Sequence, residues 1–305
     1  MKVAQNMTEL IGNTPVVRLN KLVPKSSADV FVKLESFNPS KSVKDRAAYN
    51  MIRAAEEKGL IKPGDTIIEP TSGNTGIGIA MNAAAKGYNA ILVMPDNSTM
   101  ERRNILKAYG AKVVLTPSSE KMPGAIKKAK ELKKEIPGSF IPQQFENDAN
   151  PEIHRRTTAL EIIEQMDGKL DAFVCTAGTG GTVTGTGEVL KEKIPGLSIT
   201  IAEPKGSPVL SGGKPGKHKL VGTSPGFIPE ILNKAIYDEI MLVEDDNAVE
   251  MFRRIPKEEG IFVGLSGAAA IYTALKVAER LGDEKRVLCI APDTGERYLS
   301  MHLLD

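Results

Sequence analysis

Two lysines three apart, Lys41 and Lys44, stand in the segment Asn38-Pro39-Ser40-Lys41-Ser42-Val43-Lys44-Asp45-Arg46, where a helix is predicted over Val43 to Lys58. An ammonium at a helix start faces the positive end of the peptide dipoles, which lowers its stability and suits Schiff-base chemistry. Either lysine could serve, and a loop lysine is also at home in solvent. Thr71-Ser72-Gly73-Asn74-Thr75-Gly76 follows a predicted strand at Thr66 to Glu69 and opens a helix reaching about Lys86. Unpaired amides at a helix start attract an anion. Gly73 and Gly76 permit close backbone approach, and the hydroxyls of Thr71, Ser72 and Thr75 add donors. The same letters also make a plain capped turn, and the two readings stand level. Gly178-Thr179-Gly180-Gly181-Thr182 follows a predicted strand at Ala172 to Thr176 and precedes a helix running to Lys193. Three glycines and two threonines exceed what a turn needs and suit a phosphate seated on amides and hydroxyls. The order matches neither a nucleoside-triphosphate loop nor a dinucleotide-binding turn.

A frame must hold these segments. The chain has 305 residues, room for two domains and a large core without staples. Its hydrophobic and charged fractions, 41% and 26%, are those of ordinary globular chains. Forty basic against 38 acidic residues leave a net charge of +2, which supplies no field for nucleic acid or an anionic membrane. No apolar run approaches the ~18 residues that span a bilayer, and the first residues lack the apolar core of a secretory signal. A cytoplasmic protein is expected. Cys175 and Cys289 lie in apolar strands and read as small buried hydrophobes. His154, His218 and His302 have no partner at ligand spacing, so no metal is expected. Lys127, Lys128, Lys130, Lys133 and Lys134 crowd one helix beside Glu131 and Glu135, a solvated face rather than a nucleic-acid patch.

Short β-branched runs alternate with helical patterns. Strands are predicted at 30–34, 66–69, 90–94, 111–115, 172–176, 198–202, 239–243 and 286–290. Helices are predicted at 43–58, 99–109, 125–136, 151–166, 182–193, 245–254 and 268–281, with a last one from about Thr294. Such alternation predicts largely parallel sheets wrapped by helices, in two α/β domains split near Gln143–Asn150. Residues 206–229, rich in Gly, Pro and Ser, form a long loop of the functional or mobile kind. Pro256 falls inside a helical run and should end or kink it near Ile255.

A Schiff-base lysine, a phosphate cradle and a carboxylate cradle together describe a pyridoxal 5'-phosphate enzyme acting on an amino acid. Over nearly its whole length the chain also resembles the cysteine synthase (O-acetylserine sulfhydrylase) and cystathionine β-synthase family. The resemblance is carried by Glu9 to Pro15, Asn38-Pro39 with Ser42 to Arg46, Thr71 to Gly76, Gln144-Phe145, Gly178 to Thr182, Gly222 with Gly226 to Pro229, and Gly295 to Ser300. It implies two doubly wound α/β domains of the tryptophan-synthase-β type (fold type II), with the cofactor in the interdomain cleft. The N-terminal domain would be 1–11 with 35–144 and the C-terminal one 12–34 with 145–305, the segment Gly12 to Leu34 adding a strand to the second. It implies Lys44 as the cofactor-bearing lysine, with Lys41 a surface charge. Asn74 would bond the cofactor's phenolic oxygen, and Gly178, Thr179, Gly180, Gly181 and Thr182 its phosphate. Ser266 would face the pyridine nitrogen, while Thr71, Ser72, Thr75 and Gln144 would hold the substrate carboxylate. Ser266-Gly267-Ala268 stands where members often have Ser-Ser-Gly, and Ala291 to Thr294 where others often carry serines.

The activity implied is β-replacement. Lys44, once freed, takes the Cα proton of O-acetylserine, acetate leaves Cβ, and sulfide adds to the resulting enzyme-bound α-aminoacrylate to give cysteine. Residues 207–216 resemble bacterial members that prefer homocysteine, which would give cystathionine instead. A serine or threonine dehydratase is a more distant alternative, and a binding partner without activity a further one, against which the intact Lys44 argues. The resemblance implies a homodimer and admits serine acetyltransferase as a partner.

Overall fold

The computed structural model describes residues 3–71, 73–96 and 98–305. In chain order the strands are β1 (Val16–Arg18), β2 (Asp29–Leu34), β3 (Thr66–Pro70), β4 (Asn89–Pro95), β5 (Lys112–Thr116), β6 (Ala172–Thr176), β7 (Ser198–Pro204), β8 (Glu239–Val243) and β9 (Arg286–Ala291). The helices are α1 (Lys44–Glu57), α2 (Asn74–Lys86), α3 (Met100–Ala108), α4 (Lys121–Glu135), α5 (Ala149–Ile153), α6 (Ala159–Gln165), α7 (Gly181–Lys193), α8 (Asp245–Glu259) and α9 (Leu265–Leu281). None among the described residues is long and apolar enough to cross a membrane.

The chain divides into two compact units, Met1–Ile11 with Asn38–Asn150, and Gly12–Phe37 with Pro151–Asp305. It passes between them three and six residues later than the expected boundaries at 34 and 144. Two sets of bonds account for the shift. A 3-10 turn, Glu35–Phe37, continues β2, and Glu35 accepts the Thr14 hydroxyl at 2.7 Å. Asn50 Nδ2 donates to the Ala149 carbonyl at 2.7 Å, and Asn150 Nδ2 to that of Gln144 at 2.8 Å.

In the first unit β3, β4 and β5 form a parallel sheet in that order. Adjacent residues of one strand point to opposite faces, and here both faces are buried. Ile67 packs with Ile52, Ile79 and Leu92, whereas Ile68 packs with Val93, Ala125, Ala129 and Leu132. The second unit holds the order β1-β2-β9-β6-β7-β8, parallel except for β1. Its alternation is equally plain. Val174, Val287 and Cys289 join the core under α8 and α9, while Phe173, Cys175, Leu288 and Ile290 join the one that includes Val183 and Leu190 of α7. Burial pushes the Cys175 thiol up to about 12, in keeping with a small hydrophobe rather than a nucleophile.

Several elements differ from the sequence expectation. Residues 12–34 supply two strands, with β1 antiparallel to β2 at the sheet edge. The helix expected over 151–166 is interrupted by a π-helical turn, His154–Thr158. The last helix is a 3-10 turn, Gly295–Met301, and α4 begins at Lys121 rather than Ala125. The loop over 206–229 is anchored. Ser207, Leu220 and Thr223 are buried, and Glu203 accepts the amides of Leu210 and Ser211 at 2.6 and 3.1 Å.

Helix α8 does not end at Ile255; it runs through Pro256 to Glu259. Tertiary bonds offset the missing donor. Buried Phe252 and Ile255 sit in the core, and Glu259 accepts the amides of Asn20, Lys21 and Leu22. Gly260, at φ 72°, closes the helix by donating to the Pro256 carbonyl. Pro256→Ala restores a donor for the Phe252 carbonyl and is expected to stabilise the protein by about 1 kcal/mol or more, less than a mid-helix proline costs because the last turn frays. A higher denaturant midpoint at unchanged slope is the expected reading; a lower midpoint refutes it.

Candidate active site

In the first unit, Lys44 is the first residue of α1, half-buried, with its amide 3.3 Å from the Ser42 hydroxyl. The turn before it is clamped by buried Asp45, which accepts the Ser40 amide at 2.5 Å and also the Ser40 hydroxyl. Lys41 is exposed on that turn in the left-handed region, at φ 63°. Helix α2 crosses α1 closely. A Cβ on Gly78 would stand 3.0 Å from the Lys44 carbonyl oxygen and 3.2 Å from Ala48 Cβ, so glycine there sets how near Lys44 lies to α2.

Asn74 and Thr75 are the first two residues of α2, whose N-cap, Gly73, has no side chain with which to cap the first turn. Thr71 Oγ1 accepts the Gly73 amide at 3.2 Å, bending the chain off the end of β3. Thr75 is buried and its hydroxyl donates to Gln144 Oε1 at 2.5 Å, although 69 residues separate them. Asn74, Thr75 and Gln144, expected at one site, thus belong to one local arrangement with Thr71. Ser72 lies outside the described residues.

Gln144 is positioned by backbone accounting. Phe140 runs parallel to β3, its amide donating to Thr66 O at 2.9 Å and its carbonyl accepting from Ile68 N at 2.8 Å. The next rungs would need amides from Pro142 and Pro70, and proline has none. The ladder stops, and Gln143 turns into the left-handed region at φ 58°. The Glu69 carboxylate then accepts the amides of Gln143 and Gln144 at 3.2 and 3.4 Å. Glu69 is buried, and that burial pushes its carboxyl up to about 8, against the two amide bonds, which pull it down.

In the second unit, Gly178 to Thr182 joins β6 to α7. The N-cap Gly180 sits at φ 82°, where only glycine is unstrained, and offers no side-chain cap. Thr179 Oγ1 accepts the Gly181 amide at 3.3 Å, repeating the Thr71–Gly73 geometry. A Cβ on Gly178 would lie 2.3 Å from the Gly222 carbonyl oxygen, and one on Gly180 would lie 2.8 Å from Leu232 Cβ. Ser266, the second residue of α9, is also buried. Before it, Gly264 donates to the Asp293 carbonyl at 3.1 Å, and Tyr298 donates its hydroxyl to Asp293 Oδ2 at 2.6 Å. Gly267 has physical cause: a Cβ there would stand 3.3 Å from Ala291 Cα and 3.1 Å from Val263 Cβ.

One residue that sequence reasoning set aside joins this group. His154 is buried in the π-helical turn, Nδ1 at 2.9 Å from Thr158 Oγ1 and Nε2 at 3.3 Å from Thr182 Oγ1. A Cβ on Gly185 would fall 2.0 Å from the Pro151 carbonyl oxygen and 2.9 Å from His154 Cβ, which is how α7 approaches that turn. The π insertion was the one signal available, and it is not visible in letters. No cluster of metal-ligating side chains occurs among the described residues.

Comparison with known proteins adds to this geometry. A profile of the family described as pyridoxal-phosphate dependent enzyme matches residues 7–293. The chain is 62% identical over 306 residues to a probable cysteine synthase of Bacillus subtilis (strain 168), with 99% of this chain and 98% of that one covered. It is similar to the crystal structure of an O-ureido-L-serine synthase, with a TM-score of 0.97 at 43% identity over 100% and 96% of the two chains. It is also similar to an O-acetylserine dependent cystathionine β-synthase from Helicobacter pylori, with a TM-score of 0.92 at 40% identity over 98% of each.

Proposed function

The chain belongs to the pyridoxal-phosphate dependent enzyme family, and from that premise we propose that it joins sulfide to the β-carbon of O-acetyl-L-serine, giving L-cysteine and acetate. The observation that carries this reading is the Thr75–Gln144 pair at the uncapped start of α2, in the same unit as Lys44. With its Oε1 taken by Thr75, Gln144 has amide hydrogens to offer a substrate carboxylate, at the positive end of the α2 dipole.

The residues fit the cofactor. The 178–182 turn opens a helix that has no N-cap side chain, and it has Gly178 and Gly180 where a Cβ would strike Gly222 or Leu232. Its hydroxyls and amides suit a phosphate. We assign Gly178, Thr179, Gly180, Gly181 and Thr182 to that phosphate, Asn74 to the ring's phenolic oxygen, and Ser266 to the ring nitrogen. When bound, the group withdraws electrons from the substrate's Cα. A neutral serine at the ring nitrogen favours an unprotonated ring and β-elimination over transamination.

The protein's own steps follow. Lys44 Nζ anchors the cofactor, then accepts the Cα proton as acetate departs from Cβ. Thr71, Ser72, Thr75 and Gln144 bind the carboxylate and fix Cα toward Lys44, and closing this cradle excludes water from the reacting carbon. A second reading has homocysteine as the nucleophile, supported by the 207–216 segment and the likeness to the Helicobacter pylori protein. Parallel assays of kcat/KM with O-acetylserine decide between them. Sulfide is expected to exceed homocysteine by ~10-fold or more, the worth of about 1.4 kcal/mol in the transition state. The reverse ranking selects the second reading, and pyruvate from serine with no replacement by either refutes both. The proposed macromolecular partners are a second copy of the chain and a serine acetyltransferase, in the cytoplasm; sedimentation of the holoenzyme with and without the acetyltransferase tests both.

A further inference from the structure

We propose that Glu69 is the positioning residue of the substrate-carboxylate site: its side chain replaces the β-ladder that two prolines cut short and holds the 143–144 backbone so that Gln144 meets Thr75. The inference rests on the proposed role of Gln144 and deepens it.

Three observations converge. Pro70 and Pro142 remove the donors that would have carried the pairing of β3 with the Phe140 segment one rung further. Gln143 takes a left-handed conformation, φ 58°, that costs a non-glycine residue free energy and persists only when its surroundings fix it. Glu69 reaches the amides on both sides of that strained link, 3.2 and 3.4 Å away, with one carboxylate oxygen for each. Few other side chains could do this. Even when protonated, a carboxyl group keeps lone pairs on both oxygens and carries a single donor, whereas an amide side chain presents one acceptor oxygen and two donors.

Burial argues that the group is not kept for stability alone. Glu69 is 1% exposed, and its carboxyl is driven up to about 8 by desolvation. Its neighbours in the strand, Ile67 and Ile68, fill two cores. An apolar residue at 69 would pack there at no desolvation cost, but would leave the two amides without these acceptors. The rest of the Gln144 peptide is fixed as well, its carbonyl accepting from buried Asn150 Nδ2 at 2.8 Å. Amide, carbonyl and side-chain oxygen of Gln144 are therefore each held by a different residue, Glu69, Asn150 and Thr75. Such fixing of a ligand-binding side chain by its supporting bonds is what sets affinity.

The test uses Glu69→Gln and Glu69→Ala as holoenzymes, with two readouts. One is the visible spectral change on titration with O-acetylserine, and the other is steady-state kinetics. Both variants are expected to keep the resting spectrum of the wild type. The apparent Kd and KM for O-acetylserine should rise ~10-fold or more in Glu69→Ala and less in Glu69→Gln, which keeps one acceptor, while kcat stays within ~3-fold. Should Glu69→Ala not fold, the near-isosteric Glu69→Gln decides. Unchanged Kd and KM in Glu69→Gln overturn the inference, as does a fall in kcat with KM unmoved. A wild-type holoenzyme that gives no spectral response to O-acetylserine refutes the functional reading instead, so the two failures are distinct.

Discussion

Lys44→Ala protein purified with pyridoxal phosphate is expected to lack the visible absorbance band of the wild type and to turn over at least ~10³-fold more slowly. The two losses have one cause. In the proposed chemistry Lys44 Nζ supplies both the covalent anchor and the base for the Cα proton, and positioned bases alone contribute ~10²–10⁴-fold. Lys41→Ala is the matched control. Lys41 lies three residues away in the same turn, but is exposed at φ 63°, while Lys44 is half-buried at the first position of α1 and held against α2 through Gly78. Lys41→Ala should keep both band and rate. A Lys44→Ala protein with an intact band, or borohydride-fixed label on another lysine peptide, refutes the assignment.

What the letters disclosed and what they withheld divide along a physical line. Strand–turn–helix units announce themselves locally, because a buried strand is an apolar run and an uncapped helix start is a cluster of glycines and hydroxyls. Hence β3 with α2 and β6 with α7 were legible, and with them Thr71 to Gly76 and Gly178 to Thr182. Contacts between distant segments carry no local period. Glu69 reads as a charge ending an apolar strand, and nothing near it names residues 143 and 144 as its partners. His154 looked like a lone helical histidine because the π-helical turn that brings it to Thr182 packs against α7 at Gly185, 31 residues further along the chain, a contact with no local period. Pro256 misled for the same reason. Local propensity ends the helix there, whereas core packing of Phe252 and Ile255 and the Glu259 clamp on residues 20–22 carry it on. Residues 12–15 resembled the family without disclosing that β1 would fold back as an antiparallel edge.

Gly178→Ala tests the other half of the proposed chemistry and should be the most damaging of the single-methyl changes in this cradle. Its Cβ would lie 2.3 Å from the Gly222 carbonyl oxygen, so one backbone must retreat by roughly an ångström to reach ordinary contact. The 222 side cannot retreat readily. Ser224 donates its amide to the Ala177 carbonyl at 2.9 Å and its hydroxyl to the Ser207 carbonyl at 2.6 Å, and Thr223 donates to the Leu220 carbonyl at 2.8 Å. Displacement therefore falls on the 178–182 turn, whose amides, in the proposed assignment, converge on one phosphate. Overpacking of this kind costs ~1–3 kcal/mol of stability. A cradle moved by ~1 Å loses binding on the order of 10²-fold, as misplaced catalytic geometry does. We expect Gly178→Ala to fold, to lose its colour on dialysis that leaves the wild type yellow, and to regain part of its activity when pyridoxal phosphate is added in excess. Gly73→Ala is the counterpart, because a Cβ there meets nothing within 4 Å, and it should keep its cofactor through the same dialysis. If Gly178→Ala retains colour as the wild type does, the turn at 178–182 is not the phosphate's seat.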